Sequence, residues 1–311
     1  MHFRFVKMVV TIININPSYL KMSIQDLKDR AADAKKLQSS CTICPWNCYV
    51  NRLQGELGHC RSLGNARVSG YNAHFGEESE LVGKQGSGTI FFSHCNLDCV
   101  FCQNWEISHG GEGRAVSPQA LANFMLALQD KGCHNINLVT PTPHVAAILE
   151  AVPLAVEQGL RIPFVYNSGG YDSIKTLQLL KGIIDIYMPD FKFWDAETSQ
   201  YCSGTRDYPI RAREALKEMQ KQVGDLKNKD GIAYQGLLVR HLVLPNNMSG
   251  TKEVIRFLAE EISPHCKVNI MGQYYPAYEA HKHPHLDRPI SDKEYREAKK
   301  TAARAGLRLV D

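Results

Sequence analysis

Residues 93–104 read SHCNLDCVFCQN and directly follow a predicted strand at residues 86–92. They place Cys95, Cys99 and Cys102 in a C-x3-C-x2-C spacing. A cubane [4Fe-4S] cluster is usually held by four thiolates, so three thiolates leave one iron open to water or to a substrate-like ligand. The spacing therefore predicts a cluster at which chemistry takes place, with these three cysteines as iron-binding and catalytic residues.

A zinc site and a disulfide are the alternatives for this loop. A structural zinc site takes four ligands, and His94 is adjacent to Cys95 instead of standing at a useful ligand spacing. Nothing marks the chain as secreted, and cysteines of this kind are then more often metal ligands or catalytic groups than disulfide partners. An iron–sulfur cluster is the favoured interpretation.

The composition is that of an ordinary globular protein, since 44% of the 311 residues are hydrophobic and 22% are charged. The net charge is +4 and the basic residues are scattered, which predicts no nucleic-acid partner. The apolar stretch at residues 9–16 is too short to span a bilayer and lacks a clean cleavage site. We interpret it as an extra strand or as sequence before the true start, and predict no membrane association. Ten cysteines, seven of them clustered, favour a reducing cytoplasmic location.

Six runs that read as strands alternate with helical patterns, at residues 86–92, 136–139, 162–166, 183–188, 236–245 and 267–271. This alternation favours a parallel sheet with right-handed crossovers. Six strands are fewer than a closed eightfold barrel needs, so the predicted fold class is α/β, a partial (β/α)6 TIM-like barrel. We predict an N-terminal extension and helix at residues 1–40, a cysteine-rich metal-binding segment at 41–85 and the barrel at 86–311.

The cysteine loop, with the aromatic Phe101 directly before Cys102, resembles the signature of the radical S-adenosylmethionine superfamily. The resemblance implies the partial-barrel fold and a [4Fe-4S] cluster whose fourth iron is chelated by the methionyl amine and carboxylate of S-adenosylmethionine. It further implies that a reductant such as flavodoxin or ferredoxin supplies the electron that cleaves the sulfonium and yields a 5'-deoxyadenosyl radical. The cofactors carry this chemistry, and the protein positions and shields them.

A second cysteine group precedes the barrel and supplies Cys41, Cys44, Cys48 and Cys60 in a C-x2-C-x3-C-x11-C spacing. Four thiols are enough to close a site. A second cubane cluster and a tetrahedral zinc are both open, because spacing does not separate them. We favour a second cluster, since it would share assembly and redox conditions with the radical site.

Polar residues stand where the predicted strands end, and ligands collect outside the carboxyl ends of the strands in such sheets. Asn167 and Ser168 offer donors and acceptors for a ribose or an amino-acid head group, with a simple turn as the alternative. Asp190 follows the fourth strand, where a carboxylate could hold a cation or take part in a structural ion pair. Arg240 and His241 cannot both point inward, and we predict Arg240 inward because its planar fork suits a carboxylate.

Further landmarks are similar to the pyruvate formate-lyase activating enzyme branch, in particular to its activase-like subgroup with an N-terminal four-cysteine motif. They are CQN at residues 102–104, VTPT at 139–142, YNS at 166–168, PDFK at 189–192 and Arg240 followed by Leu244 and Pro245. The resemblance implies a cofactor-binding set that consists of Phe101, Asn104, Thr140, Asn167, Ser168, Asp190 and Arg240. Within it, Asn167 and Ser168 lie near the methionyl group, Asp190 near that group or a cation, and Arg240 near the cofactor carboxylate.

Two features depart from the family pattern. The superfamily often has Gly-Gly-Glu after the second strand to hold the methionyl amine, and TPTP at residues 140–143 stands there instead. The extra cysteines come before the radical motif, whereas glycyl radical activases lack them or insert them after it. In the segment at residues 68–84, His74, Glu77 and Glu78 could enter the active site, but a solvated loop over the sheet is the commoner outcome and is the prediction here.

The leading functional hypothesis is a radical S-adenosylmethionine oxidoreductase that abstracts hydrogen from a protein, as a glycyl radical activase does, or from a small molecule. The alternative is a cysteine-rich module that binds or transfers an iron–sulfur unit or zinc without radical chemistry. The predicted partners are the reductant and, for an activase-like enzyme, a protein substrate.

Overall fold

The computed structural model describes residues 16–310. The apolar stretch at residues 9–15, with the extra strand predicted there, lies outside the described residues. From residue 16 to residue 310, no helix combines the length and the apolar composition that crossing a membrane requires.

A mixed sheet forms the centre of the molecule. Its strands are β1 (Ala66–His74), β2 (Ser87–Phe92), β3 (Arg114–Val116), β4 (Ile136–Val139), β5 (Phe164–Ser168), β6 (Ile186–Pro189), β7 (Lys227–Lys229), β8 (Ile232–Leu242), β9 (Lys267–Met271) and β10 (Arg308–Leu309). They are ordered β10-β9-β8-β6-β5-β4-β2-β1-β3, and β7 pairs with β8 outside this path. The pairs from β2 to β10 along this path are parallel, whereas β1 and β3 add antiparallel strands at one edge.

Helices alternate with the parallel strands and complete the barrel-like layer. They are α1 (Ile24–Ser39), α2 (Ser79–Val82), α3 (Trp105–Ser108), α4 (Pro118–Asp130), α5 (Val145–Glu157), α6 (Ile174–Leu180), α7 (Ala196–Ser203), α8 (Tyr208–Val223), α9 (Thr251–Phe257) and α10 (Asp292–Arg304). Each of the six predicted strands is present as a parallel strand, so the predicted α/β partial barrel is confirmed. The short β10 adds a seventh parallel strand that the sequence reading did not count.

The inner strands and helices are apolar over almost their whole length because they are buried. Every residue of β5 is buried, as is typical of a parallel strand that is covered on both faces. Helix α5 packs against both α1 and α4, and most of its residues are buried. Helix α4 begins at the Ser117 cap, whose hydroxyl accepts the N–H of Ala120 at 3.2 Å, with Pro118 in the first turn.

The N-terminal part of the described chain is fastened to the barrel. Ser23 and Asp26 form a capping box at the start of α1, which confirms the helix predicted there. The carbonyl of Ile43, in the cysteine-rich segment, accepts hydrogen bonds from the hydroxyls of Ser173 (2.9 Å) and Thr176 (2.6 Å) at the start of α6. The sheet also includes β1, which lies within the range 41–85 assigned to that segment; the domain boundaries stay predictions.

Strand ends define one edge of the sheet, at which the candidate site lies. Asn167 pairs with Met188 across β5 and β6, and Asp190 pairs with Arg240 just beyond the end of β6. Arg240 faces this edge as predicted, whereas the ring of His241 faces away and is buried, with Nδ1 2.7 Å from the carbonyl oxygen of Phe191.

Candidate active site

A cavity of about 490 Å³ lies at the carboxyl ends of the parallel strands. The residues predicted for the catalytic cluster and for the cofactor all line it: Cys95, Cys99, Cys102, Phe101, Asn104, Thr140, Asn167, Ser168, Asp190 and Arg240. The structure thus brings together every residue of that set, from five separate places in the chain. Their individual binding roles stay predictions.

The cysteine loop after β2 is held in place by α7. The backbone N–H groups of Asp98 and Val100 donate to the carbonyls of Ser203 (3.2 Å) and Cys202 (3.0 Å). Burial raises the pKa of the Cys99 thiol to about 12. A buried thiol of this kind is neutral by itself, and a bound metal cation is what makes such a ligand lose its proton.

A network of charged side chains forms the opposite wall. Asp190 lies between two cations, with Oδ2 2.6 Å from Lys192 Nζ and Oδ1 2.9 Å from Arg240 Nε. Burial works to raise the pKa of Asp190, but Arg240 and Lys192 outweigh it and hold the pKa below its ordinary value. Arg240 also donates to Asn167 Oδ1 at 2.6 Å and lies 3.6 Å from Glu77 Oε2. Burial raises the pKa of Glu77, and Arg240 offsets this only in part.

A buried carboxylate positions Ser168. Asp172 accepts hydrogen bonds from the hydroxyls of Ser168 (2.6 Å), Thr142 (2.7 Å) and Tyr166 (2.9 Å). The residues after β4 and β5 are therefore joined behind the cavity wall. Asp172 is a positioning residue that sequence reasoning missed, and its place directly after the Gly-Gly-Tyr turn was the available signal.

Comparison with known proteins assigns the family. The model of the Radical SAM superfamily matches residues 89–234, the part of the chain that carries the cysteine loop and most of the cavity wall. The uncharacterised protein MJ0674 of Methanocaldococcus jannaschii is 32% identical over 302 residues, which cover 94% of this chain and 82% of that protein. The chain belongs to the radical SAM superfamily. The uncharacterised protein MJ0808 of the same organism is 23% identical over 258 residues, which cover 76% of this chain and 71% of that protein.

Two solved structures also resemble this chain, at lower sequence identity. The structure of Streptococcus suis SuiB bound to S-adenosylmethionine has a TM-score of 0.49 and 13% identity, and the match covers 70% of this chain and 47% of that chain. HydG, a maturase of the [FeFe]-hydrogenase, has a TM-score of 0.48 and 14% identity, and the match covers 93% of this chain and 64% of that chain. The chain therefore spans about half the length of SuiB.

Radical SAM enzymes use a [4Fe-4S] cluster and S-adenosylmethionine, and the residues present fit that cluster. Three thiols line the cavity, and no fourth cysteine among residues 16–310 does so. In that same part of the chain no three His, Cys, Asp or Glu side chains converge closely enough to hold a single metal ion. Each thiolate of a cubane cluster binds a different iron, so cluster ligands stand farther apart than the ligands of one ion.

The four cysteines of the N-terminal segment lie near one another. Burial raises the pKa of Cys44, and the neighbouring thiols of Cys60, Cys41 and Cys48 raise it further. A Cβ on Gly58 would lie 2.9 Å from Cys48 Sγ, so only glycine leaves room for this sulfur. The four thiols therefore lie in one neighbourhood, but within residues 16–310 they do not approach as closely as the ligands of a single ion do. The second metal site and the identity of its metal stay predictions.

The cysteine-rich segment contacts the radical SAM loop directly. The indole N–H of Trp46 donates to the carbonyl of Asn96 at 2.8 Å. The same indole stacks on His59 with ring centroids 3.7 Å apart, and His59 Nε2 lies 2.9 Å from Asp98 Oδ2. The two cysteine groups are thus joined through side chains next to their ligands.

The prediction that residues 68–84 form a solvated loop is wrong. Strand β1 ends at His74 and α2 begins at Ser79, and the turn between them enters the cavity. His74 and Glu77 line the cavity, and the side chain of Glu77 is only 9% exposed. Glu78 accepts a hydrogen bond from the Asn269 amide at 2.9 Å. The polar composition of the turn concealed its burial, because the closing wall is supplied by β8 and β9, far along the chain.

Proposed function

We propose that this radical SAM enzyme binds the [4Fe-4S] cluster through Cys95, Cys99 and Cys102, cleaves S-adenosylmethionine reductively and abstracts hydrogen from a polypeptide, as an enzyme of the activase-like branch. The observation that carries the proposal is the convergence of three thiols and a charged wall in one cavity. The bound cluster supplies the electron, and the cleaved cofactor supplies the radical that attacks the substrate.

The charged wall suits the amino-acid end of S-adenosylmethionine. Arg240 carries a guanidinium at the cavity surface, and its planar fork is suited to the methionyl carboxylate. Glu77 faces the same cavity. We assign to Glu77 the contact with the methionyl amine that a Gly-Gly-Glu stretch makes in other superfamily members. Asn167 and Asp190 accept hydrogen bonds from Arg240 and fix its orientation, and the carboxylate of Asp190 neutralises its charge in part.

Exposed aromatic residues near the cavity favour a polypeptide substrate. Phe75, Trp105 and Tyr275 are 62%, 41% and 52% exposed, and each lies within two residues of the cavity lining. Exposed aromatic side chains are enriched where proteins bind one another. A small-molecule substrate remains the second outcome of the experiment below.

Outside the cavity we propose two further components. The cysteine-rich segment binds a second [4Fe-4S] cluster, with zinc as the alternative. Its support is that the thiols of Cys60, Cys41 and Cys48 lie near enough to raise the pKa of Cys44, and that Trp46 donates a hydrogen bond to Asn96 of the radical SAM loop. A flavodoxin or a ferredoxin serves as the reductant.

The proposal is tested with anaerobically reconstituted protein and dithionite. Wild type is expected to form 5'-deoxyadenosine, and Cys99→Ala is expected to form none. Cys266→Ala is the matched control, since Cys266 is a buried thiol outside the cavity, and it is expected to keep activity. Equal turnover in Cys99→Ala contradicts the ligand assignment. Metal and sulfide analysis of the same protein tests the clusters. About eight irons and eight sulfides per chain support two cubane clusters, and zinc without sulfide refutes both the catalytic and the second cluster.

The substrate class is tested by adding anaerobic cell extract that dialysis has separated into macromolecular and small-molecule fractions. A polypeptide substrate predicts that only the macromolecular fraction stimulates 5'-deoxyadenosine formation, and that protease treatment abolishes the effect. Stimulation by the small-molecule fraction alone contradicts the polypeptide assignment and leaves the cofactor chemistry unaffected.

A further inference from the structure

A second cavity, of about 510 Å³, lies between the cysteine-rich segment and the barrel. Its wall combines residues of α1, the 52–65 segment, β1, β3 and α5, and it shares no lining residue with the active-site cavity. No step of the proposed radical chemistry uses it. A ligand bound here would contact α1, the 52–65 segment and the barrel at once.

The charge of this cavity is strongly positive. Lys35, Arg52, Arg61 and Arg67 line it, and the carboxylate of Glu150 is the acidic group among the lining residues. Glu150 is already engaged, since it lies 2.7 Å from Lys35 Nζ. None of the three arginines forms an ion pair with any residue between 16 and 310. Three guanidinium groups without a counter-charge attract an anion.

Arg52 provides the most specific sign of a ligand. Its side chain is 2% exposed, and Nη2 donates to the carbonyl of Leu63 at 2.5 Å. Its Nε and Nη1 atoms have no hydrogen-bond partner in the part of the chain that the structure describes. Buried polar groups are almost always paired, and a guanidinium has only donors to offer. The missing partner is therefore a group with acceptor oxygens.

Whereas Arg52 needs a hydrogen-bond acceptor, His144 needs a hydrogen-bond donor from the ligand. Its Nε2 lies 2.7 Å from the carbonyl oxygen of Ser93, and because a carbonyl can only accept, Nε2 carries the hydrogen. Burial lowers the pKa of His144 to about 3, so the ring is neutral and Nδ1 is an acceptor. This Nδ1 also lacks a partner among residues 16–310. The complementary ligand offers acceptor oxygens to Arg52 and a hydroxyl hydrogen to His144.

We propose that this cavity is a binding site for a phosphate group, either the hydrogen phosphate ion or a phosphate monoester whose organic part carries a hydroxyl, which ties the cysteine-rich segment to the barrel. Hydrogen phosphate carries both charged acceptor oxygens and a hydroxyl. Arginine is the side chain best suited to phosphate oxygens. The volume leaves room for a larger group attached to the phosphate.

The test uses the anaerobically reconstituted full chain in buffer free of phosphate. Equilibrium dialysis with inorganic phosphate is expected to give one saturable site per chain, and phosphate is expected to raise the thermal unfolding temperature. Arg61→Ala removes an exposed cation of the site and is expected to weaken binding about tenfold, as the loss of one charge-assisted contact does. Arg296→Ala, an exposed arginine of α10, is the matched control and is expected to bind as wild type does. Arg52→Gln is expected to abolish binding. If Arg52→Gln does not fold, the comparison of Arg61→Ala with wild type tests the site.

Two further arms identify the chemistry. Sulfate has the charge but no hydroxyl, and it is expected to bind at least about tenfold more weakly than phosphate if His144 accepts a hydrogen from the ligand. Glycerol phosphate distinguishes a monoester from the free ion by its relative affinity. Absence of saturable phosphate binding, or equal affinity in wild type, Arg61→Ala and Arg296→Ala, overturns the site. Equal binding of sulfate and phosphate overturns the role of His144.

Discussion

Replacement of Asp190 by asparagine tests how far the charged wall depends on one carboxylate. Asp190 contacts Lys192 and Arg240 at 2.6 and 2.9 Å, and the three side chains are only 13–18% exposed. Asparagine keeps the shape but leaves Lys192 without its counter-charge, and it leaves Arg240 only the more distant carboxylate of Glu77 at 3.6 Å. Removal of one partner from a buried ion pair costs about 3–5 kcal/mol. We expect about 3 kcal/mol here because the site is partly open to water.

The assay is anaerobic thermal unfolding of reconstituted wild type and variants, followed by near-UV circular dichroism. A loss of about 3 kcal/mol corresponds to a fall in Tm of about 5 °C for a chain of this size. Asp33→Asn, at an exposed ion pair with Lys36, is the control and is expected to change Tm by no more than about 2 °C. The double variant Asp190→Asn/Lys192→Met is expected to recover at least half of the loss, because one unpaired cation is removed. A Tm of Asp190→Asn equal to that of the control, or no recovery in the double variant, would refute this account.

Three other predictions concern separate parts of the molecule. Burial raises the pKa of Asp185 from 3.8 to about 6. The protonated carboxyl therefore stabilises the folded protein by about 3 kcal/mol below about pH 4, and this stabilisation is lost as the pH rises through about 6. Asp185→Asn should remove this pH dependence when its Tm is compared with that of wild type at matched pH. Gly170 has φ +79°, and a Cβ there would lie 2.2 Å from the Asp190 carbonyl oxygen, so Gly170→Ala should lower stability by about 3 kcal/mol or more. Gly159→Ala, with φ +100° and nothing within 4 Å, should show only the backbone cost of about 1–2 kcal/mol, and equal losses in the two variants would contradict the predicted clash. Glu77→Gln should weaken S-adenosylmethionine binding about tenfold at unchanged iron content, as measured by anaerobic equilibrium dialysis, whereas unchanged affinity would remove the assignment to the methionyl amine.

The fold and much of the candidate site could be predicted from local sequence patterns. The parallel strands are short apolar runs that end in polar residues, and this pattern by itself predicts that Asn167, Ser168 and Asp190 lie at one edge of the sheet. The alternation of a strand predicts only that Arg240 and His241 face opposite ways, and the choice of Arg240 as the inward residue came from the fit of its planar fork to a carboxylate.

What the sequence pattern did not give depends on contacts between distant parts of the chain. Strand β1 has a register shift between Val68 and Gly70, which interrupts the regular alternation by which a strand is recognised. Glu77 is buried only because Arg240 and the residues around it close over the turn from the far side of the barrel. Arg52 has polar neighbours in sequence, as a surface residue does, and its burial depends on packing of the turn at Arg52–Gln54 against α1.

The hydrogen bonds from Ser173 and Thr176 to the Ile43 carbonyl bear on how the chain is made. These contacts join residues 130 and 133 positions apart. At a translation rate of roughly 5–20 residues per second, the N-terminal thiols leave the ribosome on the order of ten seconds before their docking surface exists. During that interval nothing in the barrel covers them, and they are open to oxidation or to the wrong metal. For the second metal site proposed above, correct loading would therefore depend on the kinetics of biosynthesis, and expression under strictly reducing conditions should matter more for this segment than for the thiols that follow β2.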